Sequence, residues 1–169
     1  MSANEEAVCC LKICSFECLI DQIEYFTKAI SCDPYMSVSY FARGSIYFDL
    51  RRFQLASSDF QSATKYLRGN TSINYEPLGL NYSLAAFQVA FNHGLALVKI
   101  GEWLMASVQL RAARDAVDST EFHNIVDELL ADVERRKISV TSSIYRIPVD
   151  LIYWPDKRKV DNLVSSLIV

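Results

Sequence analysis

The chain has 169 residues, of which 22% are charged, and a formal net charge of −3. That length buries one sizeable core, as one domain or as a repeat array that behaves as one. The weakly acidic balance excludes a polyphosphate-binding surface, so nucleic acid is not an expected partner.

The N-terminus, Met1-Ser2-Ala3-Asn4-Glu5-Glu6, is acidic and lacks the basic region and apolar core of a secretory signal. No apolar run reaches the roughly 18–20 residues of a membrane span. Both observations point to a cytoplasmic chain. The first helical stretch, Glu5 to Cys18, carries Cys9, Cys10, Cys14 and Cys18; Cys32 is the fifth cysteine. In a reducing compartment these are free thiols. Cys10, Cys14 and Cys18 share a face, but a helix rises about 1.5 Å per residue, so thiols spread over two turns do not close on one tetrahedral ion. They read as small core residues, with redox sensing or acylation of Cys9 and Cys10 as the alternative. No metal is expected.

A second helix, Asp21 to Ser31, is ended by Asp33-Pro34. Overlaying the chain on itself then gives a repeat. Phe26, Ala29 and Pro34 recur 34 residues later as Phe60, Ala63 and Arg68. In the next unit Tyr40, Gly44, Tyr47, Phe53, Ala56, Phe60 and Ala63 fall on the signature positions of a tetratricopeptide repeat. Small Gly44 and Ala56 let two helices approach, while Tyr47, Phe53 and Phe60 fill the space between them. Gly44, Phe53, Ala56, Phe60 and Ala63 recur as Gly94, Trp103, Ala106, Leu110 and Ala113, each shifted by 50 residues.

The shift of 50 exceeds the repeat length, and the surplus falls on Arg68 to Ser83. This stretch is an insertion broken by Gly69, Pro77 and Gly79. Loops of this length inside compact arrays are uncommon and often functional. The expected organisation is an all-α array: an incomplete first repeat (3–34), a repeat at 37–67, the insertion at 68–83, a repeat at 84–118 and a capping helix at 119–137. The capping helix starts at Ser119-Thr120-Glu121, carries the stripe Phe122, Ile125, Val126, Leu129, Leu130 and Val133, and ends at Glu134-Arg135-Arg136-Lys137. Beyond it, Ile138 to Val149 is β-branched without helical period and reads as extended chain. Trp154-Pro155 ends that stretch, and a short helix to Leu167 is expected after it.

An array of this kind curves, and its concave face carries Val38, Phe41, Ser45 and Phe48, then Gln88, Phe91, Leu95 and Val98. That face is mostly apolar, with Asn92 and Lys99 alone near the positions that would pair a partner's terminal carboxylate. An apolar groove needs a cover. The extended tail, 138–169, is expected to lie in it on Ile144, Ile147, Val149, Ile152 and Tyr153, against Phe41, Phe48, Phe91 and Leu95.

Four stretches carry a resemblance: Ser39-Tyr40-Phe41-Ala42-Arg43-Gly44, Leu67-Arg68-Gly69-Asn70, Tyr75-Glu76-Pro77-Leu78-Gly79-Leu80, and Ile147-Pro148-Val149 followed by Trp154-Pro155. In order and spacing they resemble the N-terminal repeat domain of the cytosolic NADPH oxidase activator family, over roughly Asp21 to Leu163. The resemblance implies a non-enzymatic regulatory module with no cofactor, monomeric, which binds a Rac-type small GTPase in its GTP form. Inter-repeat loops and the insertion make the contact, and the module takes part in superoxide generation by the membrane NADPH oxidase, reached indirectly or weakly. Carried over by position, the GTPase-binding residues are Asp33, Tyr35, Arg68, Gly69, Asn70, Ser72 and Asn74. Of these, Ser72 stands where the family has an apolar contact, Asn74 where it has an aspartate, and Tyr35 where it has a histidine. The family also begins about one repeat earlier and continues into an activation segment that this chain is expected to lack. The module is thus expected in the cytoplasm, recruited to the membrane through its partners.

For Arg68 and Asn70 the plainer reading is a helix C-cap with an exposed basic residue. His93 lies at a repeat core position and His123 on a polar stretch of helix. Neither has the acid and nucleophile neighbours of a catalytic base, and no Gly-rich phosphate loop is present. The competing function is a generic repeat scaffold that docks a partner peptide in its groove.

Overall fold

In the computed structural model, residues 19–137 and 143–148 are described, and the chain runs there as a series of helices each packed on the next. Helix α1 (Leu19–Cys32) is followed by α2 (Ser37–Asp49) and α3 (Phe53–Leu67). A second pair, α4 (Ala86–Ile100) and α5 (Trp103–Asp115), precedes α6 (Thr120–Glu134). The short turns within each pair set its helices antiparallel. The class is all-α, an array of helix pairs consistent with the expected tetratricopeptide-like arrangement. The exception is a small hairpin between α3 and α4, whose strands are β1 (Ser72–Asn74) and β2 (Ser83–Ala85). The stretch Glu5 to Cys18 with Cys9, Cys10, Cys14 and Cys18 lies outside the described residues. So do Val149, Ile152, Tyr153, Trp154-Pro155 and the helix expected up to Leu167.

The close packing within each pair results from small residues facing large ones. A Cβ on Gly44 would stand 2.9 Å from Phe60 Cε1, and one on Gly94 would stand 2.8 Å from Leu110 Cγ. Ala56, Ala63, Ala106 and Ala113 are fully buried at the same two crossings. A side chain at either glycine would force the helices apart, at a cost in the dispersion contacts of the whole seam. Across α1, α2 and α3 the packing is reinforced by Arg43. Its Nε and Nη2 donate to the two Asp59 carboxylate oxygens at 2.8 Å each, and its Nη1 donates to Thr27 Oγ1 at 3.0 Å. The Asp59 carboxylate holds the Arg43 guanidinium above its ordinary pKa, as expected for a bidentate pair with little solvent around it.

Helix α6 covers the end of the second pair. Ser119 caps it by accepting from the Phe122 N–H at 3.4 Å. Phe122, Val126, Leu129, Leu130 and Val133 are buried, whereas Ile125, placed with them on the apolar stripe, faces solvent. His123, on the polar side of α6, donates from Nε2 to the carbonyls of Arg114 (3.1 Å) and Val117 (2.6 Å), fastening α6 to the end of α5.

Candidate protein-interaction surface

Helix α3 stops at Arg68, which adopts the left-handed conformation (φ 53°, ψ 34°) usually taken by glycine at a helix end. Gly69 continues with φ 80°. Asn70 closes the turn by donating twice to the Leu67 carbonyl, from its backbone N–H at 2.9 Å and from Nδ2 at 2.8 Å. The C-cap reading of this stretch therefore describes its backbone. It leaves the Arg68 side chain projecting, exposed.

Beyond Asn70 the insertion is built rather than slack. Strands β1 and β2 pair antiparallel, with Ser72, Ile73 and Asn74 opposite Ala85, Leu84 and Ser83. A 3₁₀ turn, Glu76–Leu78, lies between them. Pairing carries the insertion to Ala85, so α4 starts at Ala86. Leu80, Leu84 and Tyr75 are buried in the core shared with α2 and α3. The Tyr75 hydroxyl accepts from the Val38 N–H at 3.2 Å, in the first turn of α2, whose own N-cap, Met36, supplies no side-chain cap. A residue of the insertion thus satisfies an orphan donor of a helix. Burial pushes the Tyr75 hydroxyl pKa up to about 12.

The α1–α2 turn and the insertion meet at a cleft of about 450 Å³ lined by Asp33, Tyr35, Met36, Tyr66, Arg68, Asn70, Ile73, Tyr75 and Leu78. Of the residues carried over by position, Asp33, Tyr35, Arg68 and Asn70 share this cleft. Asp33 Oδ1 accepts from the Tyr35 N–H at 2.9 Å and so shapes the turn. Tyr35 is 62% exposed, with its ring edge-on to Tyr66 (5.6 Å) and beneath the Arg68 guanidinium (5.5 Å). Tyr66 stacks in turn on Tyr40 (5.3 Å), whose hydroxyl donates to the Pro34 carbonyl at 3.1 Å. The result is a run of three packed rings with cations along it, Arg68 over Tyr35, Lys65 over Tyr66 and Arg43 over Tyr40, the composition of an anchoring contact.

Gly69, Ser72 and Asn74 do not line the cleft. Ser72 is exposed on β1. Asn74 Oδ1 accepts from the Glu76 N–H at 3.0 Å, so its side chain serves the local turn. Met36, Tyr66, Ile73, Tyr75 and Leu78 are cleft residues that sequence reading did not place in the site. Tyr66 sits where α3 ends and could have been found as the aromatic two residues before Arg68; Met36 belongs to the α1–α2 turn, and the other three depend on how the insertion folds.

On the other face, residues 143–148 cross the helices. Ile144 is buried with Phe91, Leu95, Phe122 and Val126. Tyr145 sets its ring edge-on to Phe87 (5.4 Å) and Phe91 (5.5 Å). Asn92, fully buried on α4, grips the Tyr145 backbone at both ends, accepting from its N–H and donating to its carbonyl at 2.8 Å each. Arg146 Nε pairs with Asp49 at 3.2 Å, and Ile147 is half-buried against Phe48 and the first core. Phe41 is fully buried beneath. Val149 lies outside the described residues.

His93 is 6% exposed, with Nε2 3.1 Å from Ser57 Oγ and no acid beside it. Burial lowers its pKa to about 4. Among the described residues no cluster of His, Cys, Asp and Glu is placed to hold a metal ion, and no helix is long and apolar enough to cross a membrane.

The chain is 34% identical to neutrophil cytosol factor 2 of Mus musculus over 141 residues, which cover 83% of this chain and 26% of that protein. It is 32% identical to NADPH oxidase activator 1 of Rattus norvegicus over 138 residues, covering 82% of this chain and 30% of the other. With the NADPH oxidase activator of Dictyostelium discoideum it shares 30% identity over 138 residues, covering 80% and 21%. The chain thus spans about a quarter of the length of the curated relatives it matches. No protein-family model matches it.

Proposed function

The chain belongs to the NADPH oxidase activator family, and on that premise we propose that it is a non-enzymatic regulatory module that binds a GTP-loaded Rac-type small GTPase through the α1–α2 turn and the insertion, and thereby takes part in superoxide generation by a membrane NADPH oxidase. The observation that carries this reading is that Asp33, Tyr35, Arg68 and Asn70 line one cleft. A projecting guanidinium on an aromatic ladder recognises carboxylates and backbone carbonyls of a partner, while Asp33 and Asn70 offer acceptors and donors beside it. The hairpin is pinned by Tyr75, Leu80 and Leu84, so the surface is pre-organised and little ordering cost is charged against affinity.

The cytoplasmic module meets the membrane through its partners, and electron transfer belongs to the oxidase. The competing peptide-in-groove reading has a cost: Ile144, Tyr145 and the Asn92 clasp would have to be lifted from the helices first. Mutational mapping tests the proposal. Tyr35→Ala and Arg68→Glu should each weaken binding to the GTP-loaded GTPase by about tenfold or more, whereas Asn92→Leu should leave it unchanged. The reverse pattern would move the partner site to the groove.

A further inference from the structure

Thr71 stands between Asn70 and β1, exposed, and its hydroxyl has no hydrogen-bond partner among the described residues; its carbonyl accepts from the Ala86 N–H at 2.8 Å. Three residues ahead of it, Arg68 is exposed and forms no ion pair among the described residues, its guanidinium resting on the Tyr35 ring. From Ser72 to Asn74 the chain is extended, and among the described residues the outer edge of β1 has no partner strand. An exposed hydroxyl, a free guanidinium three residues before it and an extended edge after it are what an arginine-directed serine/threonine kinase reads, through a carboxylate pocket and a groove for extended chain.

We propose that Thr71 is the acceptor site of such a kinase, and that its phosphorylation switches off the cleft described above; the second half rests on the proposed GTPase-binding role. In the transfer, Thr71 Oγ1 attacks the γ-phosphorus of magnesium-bound ATP, the bond from that phosphorus to the bridging oxygen breaks, ADP leaves, and the hydroxyl proton passes to the kinase's catalytic base. The turn from Arg68 to Thr71 is held by the two Asn70 bonds to the Leu67 carbonyl, and these are the contacts the kinase has to release. The product adds about two negative charges and three acceptor oxygens beside Arg68. The guanidinium leaves Tyr35 for the phosphate, and the cleft loses the one cation among its described lining residues.

The test incubates the full chain carrying Ser139→Ala, because Arg136 stands three residues before Ser139 as Arg68 does before Thr71, with magnesium-ATP and the catalytic domain of a kinase that selects arginine three residues before the acceptor. Fragment mass spectrometry should place a single phosphate on Thr71. Thr71→Ala should abolish that phosphate and Ser72→Ala should leave it. Arg68→Gln should slow its addition by about tenfold or more, and Asn70→Ala should speed it by freeing the turn. A phosphate on Ser72 or elsewhere, or an unchanged rate in Arg68→Gln, would overturn the site. The phosphorylated and unmodified chains are then compared for binding to GTP-loaded Rac. About tenfold weaker binding of the phosphorylated chain supports the switch, and equal binding overturns it. If the unmodified chain does not bind, the GTPase-binding role fails while the mapped phosphate stands on its own.

Discussion

Replacing Asn92 by leucine isolates what holds residues 143–148 against the helices. Leucine keeps the branched outline of asparagine without its polar atoms, so both 2.8 Å bonds to Tyr145 are lost. The Tyr145 N–H would then face an apolar side chain and its carbonyl would keep only the longer bond from Ser45 Oγ at 3.4 Å, at a cost of roughly 2–3 kcal/mol for the two groups together. That cost raises the local opening equilibrium by about a hundredfold. Hydrogen exchange of the Tyr145 amide reads it directly, and trypsin cleavage after Arg146 reads it independently. An internal control is Asp49→Asn. The Arg146–Asp49 pair is largely exposed and contributes about 0–1 kcal/mol, so that variant should open the segment far less. Tyr145 protection in Asn92→Leu within about threefold of the unmodified chain would refute the reasoning.

The packing and the caps set four further outcomes. Gly44→Ala should destabilise the chain by on the order of 1 kcal/mol in urea denaturation, because overpacking against Phe60 costs about 1–3 kcal/mol and the gain in helix propensity offsets about 1. Tyr75→Phe orphans the Val38 N–H and should cost about 1–2 kcal/mol by the same measurement. Arg68→Gly should raise stability by about 1 kcal/mol, since glycine takes φ 53° without strain, while weakening GTPase binding; loss of both would mean the arginine is structural. His93 has a folded pKa of about 4 against an ordinary 6.5. The unfolded chain therefore binds the proton first, and the contribution of neutral His93 is full above pH 6.5 and lost as pH falls towards 4, to on the order of 3 kcal/mol. The stability difference between pH 7.5 and 4.5 should shrink in His93→Gln, and an unchanged difference would refute the assignment.

The helix pairs were legible because their packing rule has a period. Gly44 against Phe60 and Gly94 against Leu110 repeat one crossing 50 residues apart, and a small residue facing a large one leaves a trace in the sequence. Helix α6 announced itself through Ser119 and its apolar stripe, though the stripe did not reveal that Ile125 lies at its solvent edge. The hairpin pairing was not legible. Ser-Ile-Asn and Ser-Leu-Ala are three residues each, with no tight-turn dipeptide between them; their register is set by the burial of Tyr75, Leu80 and Leu84, a tertiary fact.

At the cleft, residue types and resemblance picked out Asp33, Tyr35, Arg68 and Asn70, but could not say that Asn74 spends its side chain on the Glu76 N–H or that Tyr75 reaches back to α2. Asn92 was visible as a polar residue on an apolar face. Its partner, Tyr145, is 53 positions away, and no local pattern encodes that pairing.

The most direct measurement is a titration of the chain with Rac carrying a non-hydrolysable GTP analogue and, separately, with Rac carrying GDP, each repeated with Arg68→Glu. The account predicts binding to the GTP form, at least about tenfold weaker binding to the GDP form, and loss of the GTP-form signal in Arg68→Glu. Equal binding to both nucleotide forms, binding that survives Arg68→Glu, or no binding by the unmodified chain would contradict it.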